Sequence, residues 1–411
     1  MAYVPPHMRK GSRVRSPTGE MAFLPRFRKS LDLGSPGQKP GCGYIKKFSY
    51  ADNAITKWFA VGLNGLEVDL GNLVLQQAAL EIIERQGGVK PFVLLNLSHH
   101  DDGKVNQDIS RLPWKCISQR VLQDLIHCSE YVRNEIEGPN QNLKGIRSRL
   151  VARIGKIFFI PWKSCTPEED LGKASVDEFY LGKLKKCFYT GVPASYVDAI
   201  VDEVVPKVGF EFRNLKDIYH VKLSDRSQQE AVFMCKCRIL DNRLQFYKME
   251  MTQVRHMVYN ISCIEKNMDL RLMLSTKRTL TSLQDDEMDS IRNLIASSVL
   301  CLSSRGGLRW PYGKATSSDG RFSVIGVWHT ICRVYESPLL YLKVRDADRY
   351  DFSTDIGETT REVNLSLKGL LSQLLEKVEN DKVLTTLEDV LKLLWEHFLP
   401  SNAIQNLKDL P

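Results

Sequence analysis

The chain has 411 residues, 57 basic and 49 acidic side chains and a formal net charge of +8, with 43% hydrophobic and 9% aromatic residues. That is ample for a large core, and it exceeds the size at which a single core usually stops growing. The charge is local: residues 1–50 hold Arg9, Lys10, Arg13, Arg15, Arg26, Arg28, Lys29, Lys39, Lys46 and Lys47 against Glu20 and Asp32, which leaves the rest of the chain balanced.

Residues 1–43 carry six of the 17 prolines among Gly, Ser and cations. Such a segment buries too little apolar surface to offset chain entropy, so it reads as a disordered basic tail. A phosphate on Ser16 or Ser35, each followed by Pro, would cancel part of its charge. Residues 44–411 read as one large domain, with any subdivision falling near 185. Ile55–Val61 and Phe92–Leu97 read as strands and Leu73–Arg85 between them as a helix. Ile117–Ile136 is a longer helix ended by Gly138-Pro139, and Leu150–Ile160 a strand closed by Pro161. Pro193–Val205 is a helix with Pro206 as its stop. Val208–Phe212, Tyr219–Leu223, Ala231–Leu240, Leu244–Tyr259 and Met268–Thr276 follow as an antiparallel meander. Within it Leu270, Leu272 and Leu274 alternate with Asp269, Arg271, Ser275 and Lys277, the period of a sheet with one wet face. Asp285–Leu302 is a helix closed by Gly306-Gly307, and Arg321–Tyr335 with Leu339–Val344 a hairpin around Ser337-Pro338. From Glu362 the leucines at 367, 370, 371, 374 and 375 predict a helix, and Leu384–Phe398 a second. The fold class is α+β: a mostly antiparallel sheet with helices at start and end.

No apolar run approaches the ~18–20 residues of a membrane helix, so no membrane partner is expected. The start has no hydrophobic leader, and the ten cysteines show no Cys-x-x-Cys spacing. Both features suit reduced thiols in the cytoplasm or nucleus and argue against a structural zinc.

Gly307 and Gly313 are too far apart for a Walker loop, and Ala315 offers magnesium no hydroxyl. The same loop interleaves Arg309, Trp310, Tyr312 and Lys314, a chemistry that holds phosphates and stacks bases; the plainer reading is a helix cap with Trp310 in the core. With Arg13, Arg15, Arg26, Arg28 and Lys29 these are the candidate nucleic-acid contacts. Tyr341, Lys343 and Arg345 share one face of a strand and, with Arg271 and Lys277, make a basic sheet face, which a solvated surface would also explain. His99-His100-Asp101-Asp102 has metal-ligand residue types but no distant partners. Asp346–Asp351 lacks a calcium loop's third ligand and Gly and reads as an acidic turn. His256 and His329 read as hydrogen-bonded core residues. No catalytic residue, metal or cofactor is expected on this reading.

Glu67-x-Asp69, Glu211, Glu250, Glu358 and Glu362 allow one enzymatic alternative. Lining a barrel, they would hold a metal while Arg271 and Lys277 bind phosphate, which resembles a triphosphate-tunnel hydrolase. That family shows Glu-x-Glu-x-Lys early in its fold, where Glu67-Val-Asp69-Leu-Gly71 has Gly instead of Lys.

Tyr3-Val-Pro-Pro-His7-Met-Arg9 resembles the Tyr-x-Pro-Pro-His-x-Arg element in the tails of DEAD-box RNA helicases linked to translation initiation, where it is associated with the cap-binding factor. The resemblance covers Tyr3, Pro5, Pro6, His7 and Arg9 as a linear motif, Pro-Pro stiffening the chain between its anchors. The body has neither a Walker loop nor an Asp-Glu-Ala-Asp box. The whole chain is similar to a plant protein family that opens Met-Ala-Tyr-x-Pro-Pro-His, through Tyr50–Trp58, Ala152–Phe158, Gly307–Ala315, Gly326–Thr330 and Val344–Arg349; this brings no activity, cofactor or catalytic residue. The leading expectation is a non-enzymatic protein of RNA metabolism or translation, its partner RNA or a translation or RNA-processing protein met by the tail. The alternatives are a protein–protein scaffold using the C-terminal helices and the metal-dependent phosphohydrolase. Oligomeric state is left open.

Overall fold

The structure, a computed structural model, describes residues 48–61, 73–81, 83–84, 88–96, 112–137, 145–161, 178–227, 232–241, 243–251, 253–279 and 283–400. The tail, Glu67 and Asp69, and His99–Asp102 lie outside the described residues.

The strands are β1 (Phe48–Val61), β2 (Leu73–Gln77), β3 (Phe92–Asn96), β4 (Ile146–Ile160), β5 (Lys185–Tyr189), β6 (Glu211–Asp225), β7 (Val232–Leu240), β8 (Arg243–Met251), β9 (Gln253–Cys263), β10 (Asp269–Arg278), β11 (Val299–Leu300), β12 (Leu308–Arg309), β13 (Phe322–Glu336), β14 (Leu340–Asp351) and β15 (Ile356–Leu367). The helices are α1 (Pro113–Glu137), α2 (Glu178–Lys183), α3 (Ala194–Ala199, continued by a π turn to Val208), α4 (Asp285–Ala296), α5 (Lys368–Leu375) and α6 (Asn380–Leu393, with a π turn to Phe398). None of the described helices is long and apolar enough to cross a membrane.

The main sheet runs β1-β9-β10-β4-β15-β14-β13-β6-β7-β8, antiparallel except for the β1–β9 pair. It does not stay open. Glu250 near the end of β8 bridges Thr279 just past β10. The strands β10, β4, β15, β14, β13, β6, β7 and β8 therefore form a ring, which leaves no free edges along its closed part. The strands β2, β3 and β5 build a small sheet on the far end of β4.

Period-two alternation sends each strand's apolar residues to the outside of the ring. Leu270, Leu272 and Leu274, with Leu150, Ala152 and Ile154, Leu340, Leu342 and Val344, and Val363, Leu365 and Leu367, form one face of the largest core. The helix α1 covers it with Ile117, Val121, Leu125, Cys128 and Val132, spaced three or four apart, and α3, α5 and α6 complete the cover. A fully buried Leu there contributes about 1.5–3 kcal/mol. A second core packs α4 against β6, β7 and β13 through Ile291, Leu294, Val221, Cys235 and Val327.

Several local expectations change. Leu73–Gln77 is a strand, because Leu73 and Leu75 alternate inward and pair with β3. Residues from Glu362 to Leu367 belong to β15, and the helix starts at Lys368. The helix from Asp285 ends at Ala296, and Gly306-Gly307 turn between β11 and β12 with positive φ instead of capping it. Pro206 does not stop α3: the π turn before it absorbs the missing N–H donor, and the helix runs to Gly209, whose φ of +74° ends it. Asp346–Asp351 lies in β14 and is no turn.

Candidate anion site inside the strand ring

The second face of the ring's strands points inward, so the expected wet sheet face is a walled interior. Direct cross-strand partners share a face. One inner row reads Lys343, Asn364, Arg153, Arg271, Asn260 across β14, β15, β4, β10 and β9. Another places Arg345 beside Glu362, and a third puts Ser275 between Arg149 and Arg255. Arg271 Nε donates to Asn260 Oδ1 at 2.7 Å, and its guanidinium lies 4.5 Å from the centre of the Phe188 ring.

Three carboxylates interrupt these cations. Glu250 meets Lys236 and Lys248 at 2.9 Å and Lys277 at 3.3 Å. Glu362 pairs with Arg349 and sits 3.7 Å from Arg345. Glu358 lies 3.9 Å from Arg349 and accepts a hydrogen bond from Tyr189 Oη at 2.8 Å. Neither Arg153 nor Lys343 has a carboxylate within ion-pair distance among the described residues. Cations therefore exceed carboxylates on the inner face.

The excess has an electrostatic cost. Burial, then repulsion from Arg149 and Arg345, pushes Lys343 down to about 7. Lys277 also falls to about 7, through burial and repulsion from Arg149, Lys236 and Arg345 that outweigh Glu250. Burial, then Arg255 and Arg153, brings Arg271 to about 9, and Arg153 falls to about 10 for similar reasons. Both guanidiniums stay charged at neutral pH. Burial alone would raise Glu250, but Lys277 and Lys236 hold it well below the carboxylate range. Lys277 nevertheless keeps 25% of its side chain accessible. A group both accessible and desolvated lines an enclosed space. Inside it, Arg153 Nε, Arg349 Nε, His220 Nδ1 and Asn364 Oδ1 are buried with no hydrogen-bond partner among the described residues. Buried polar groups normally find a partner in protein or water, so these atoms mark a place that water or a polar ligand can fill.

Of the carboxylates considered from sequence, Glu250, Glu358 and Glu362 are brought together with Arg271 and Lys277. Glu211 lies exposed at the start of β6, beside Glu336. Among the described residues no three His, Cys, Asp or Glu side chains gather as metal ligands would. Tyr341 lies under the Lys368 ammonium, 4.2 Å from its ring centre. In the 306–315 loop Arg309 lies over the Tyr350 ring at 4.2 Å and Trp310 donates to the Leu294 carbonyl at 2.8 Å from the second core. Tyr312 and Lys314 face solvent. His256 is buried against Thr276 Oγ1 at 2.9 Å, and burial lowers it to about 4. His329 is no core residue: it stacks on Tyr219 and meets Asp217 at 2.6 Å, partly exposed. Arg149, Arg153, Arg255, Arg349 and Lys236 were not singled out from sequence. The signal for the first two is cations at 147, 149 and 153, alternating along an otherwise apolar strand.

The fold and interior define a class: a strand ring, apolar outside under helices and cationic within. Residues 43–398 match the family described as "Domain of unknown function (DUF7903)", and the chain belongs to that family. No curated protein matches. Among solved structures, the S. pombe Pct1 RNA triphosphatase in complex with the Spt5 CTD is 11% identical over 72% of this chain and 97% of that chain, with a TM-score of 0.40. The same triphosphatase alone gives 10% over 73% and 94%, also at 0.40. The PH1012 protein from Pyrococcus horikoshii gives 9% over 54% and 96%, at 0.23. With scores this low, the functional reading rests on the geometry of this chain.

Proposed function

We propose that the chain binds a phosphate-rich anion of several linked phosphates inside the strand ring. The observation that carries this is the set of inner-face cations, Arg153, Arg271, Lys277 and Lys343 foremost, which outnumber the carboxylates there and are crowded by burial and by the neighbouring Arg149, Arg255 and Arg345. A polyanion relieves that repulsion, and it supplies acceptors for the orphaned Nε donors of Arg153 and Arg349. Strands lie about 4.8 Å apart, so cations on β14, β4 and β10 span more than a single phosphate can meet at once.

The pH dependence has a definite sign. Lys277 and Lys343 titrate near 7 in the empty protein and near 10.4 when unfolded. The unfolded chain thus binds more protons between those values, and the empty protein gains stability as pH rises from about 7 to about 10. Anion affinity moves the opposite way. Calorimetric titration of the full chain with tripolyphosphate is expected to show binding at pH 6.5 and roughly tenfold or weaker binding at pH 9, with proton uptake near pH 7.5. Absence of binding at pH 6.5 contradicts the reading.

Glu250, Glu358 and Glu362 within the same space favour one second reading, the metal-dependent phosphohydrolase. Each of the three is held by cations, so binding without turnover is the first expectation. Orthophosphate release from tripolyphosphate with magnesium or manganese establishes the hydrolase instead, and its absence leaves the binding role.

A further inference from the structure

The helices outside the ring enclose a second space, unconnected with the cations of its interior. A cleft of about 240 Å³ opens between α1, the end of α5 and the start of α6. A water molecule needs about 10–15 Å³, so the cleft has room for a small organic molecule. Ile126, Leu374, Val378 and Val383 give it an apolar wall, and its charged groups are Glu130, Arg133 and Lys377.

Arg133 is 9% exposed. Its Nη2 donates to the Leu374 carbonyl at 2.9 Å and so caps the end of α5. That contact uses one of its five donors. The buried Nε has no partner, and no carboxylate lies within ion-pair distance of the guanidinium among the described residues. Water can meet the donor but does not neutralise the charge, and buried charges are normally paired. Two more features face the same space. The 14-residue helix α6 begins in the cleft wall at Asn380, and its N-cap Glu379 makes no side-chain cap, which leaves first-turn amides open to an anion. Lys377 follows the end of α5 with φ of +58°, a left-handed position where glycine is usual, and brings its ammonium to the cleft.

Glu130 selects the charge of the occupant. Two cations against one carboxylate leave a single positive charge to be met, and a doubly charged phosphate would face Glu130 across the cleft. The four apolar side chains call for a hydrocarbon body beside that charge.

We propose that this cleft binds a small monocarboxylic acid with an apolar body. The carboxylate lies between Arg133 and the first turn of α6, and the body lies on Ile126, Leu374, Val378 and Val383. The site is independent of phosphate binding in the ring.

The test titrates the full chain with hexanoate and with its neutral counterpart hexanol, followed by saturation-transfer NMR. Hexanoate is expected to bind with a Kd of about 1 mM or tighter, and hexanol at least about tenfold more weakly. Arg133→Gln keeps a donor for the Leu374 carbonyl and is expected to weaken hexanoate about tenfold or more, with tripolyphosphate affinity unchanged. Lys377→Gly suits the left-handed backbone. It is expected to weaken hexanoate about two- to fivefold while the unfolding midpoint stays or rises. Hexanol binding as tightly as hexanoate, or a folded Arg133→Gln that binds hexanoate as before, overturns the site. Displacement of hexanoate by tripolyphosphate assigns the acid to the ring and overturns it too. If Arg133→Gln does not fold, Lys377→Gly decides, and unchanged hexanoate affinity there overturns the proposal.

Discussion

Replacing Arg153 and Arg271 together with Met is expected to stabilise the empty protein and to abolish tripolyphosphate binding at micromolar protein. The two guanidiniums are direct cross-strand neighbours on β4 and β10, both are pushed down by burial and by Arg255, and Arg153 further lowers Arg271. Met keeps the length of the apolar stem and removes two desolvated like charges. Substituting buried charges by apolar residues of similar volume commonly gains about 1–4 kcal/mol. The loss of the Arg271–Asn260 hydrogen bond and the Phe188 contact offsets part of that gain. Each charge-assisted hydrogen bond to phosphate is worth about 1.5–3 kcal/mol, so losing two lowers affinity by roughly 10²- to 10⁴-fold. Urea denaturation and calorimetry on the same double variant read both effects. A variant that is strongly destabilised, yet binds as before, contradicts the assignment of these arginines to a ligand.

The second large effect lies at the junction of the ring with the small sheet. Asp269 is almost fully buried and accepts hydrogen bonds from Ile157 N at 2.8 Å and Cys263 N at 3.0 Å, with Lys156 Nζ 3.6 Å away. One carboxylate therefore ties β4, β9 and the start of β10. Asp269→Ala leaves two backbone donors unmet and the buried Lys156 ammonium without its counter-charge, although that ammonium also donates to the Asn267 carbonyl. The expected cost is about 3–5 kcal/mol. Asp269→Asn keeps an acceptor and is expected to cost less. A loss below about 1 kcal/mol for Asp269→Ala in urea denaturation sinks this account of the clamp.

Much of the sheet was legible because its apolar outer face alternates cleanly: Leu270, Leu272 and Leu274 on β10, and Leu340, Leu342 and Val344 on β14. The polar partners of those residues, Arg271, Lys277, Lys343 and Arg345, were legible as one face for the same reason. What that face encloses was not. An open sheet with a wet side and a closed ring with a polar interior share the same period of two, and the bridge between Glu250 and Thr279 is a long-range event that no local pattern announces. Arg147 and Arg149 escaped notice because the apolar run of β4 begins only at Leu150, while the strand begins at Ile146. Across the end of β15 and α5 the apolar residues from 363 to 375 mix two periods. Val363, Leu365 and Leu367 alternate as a strand, and Leu367, Leu370, Leu371 and Leu374 repeat as a helix, which drew the apparent helix start back to Glu362. The C-terminal leucines considered as a docking face are spent within the fold: Leu370, Leu374, Leu387, Leu391 and Leu394 are all buried in the largest core.

The central claim is a location, and a crystal structure of the full chain grown with tripolyphosphate tests it most directly. The expected result is a chain of phosphates inside the strand ring, in contact with Arg153, Arg271, Lys277 and Lys343. Tripolyphosphate bound to the outer surface, with the same side chains untouched, would contradict it.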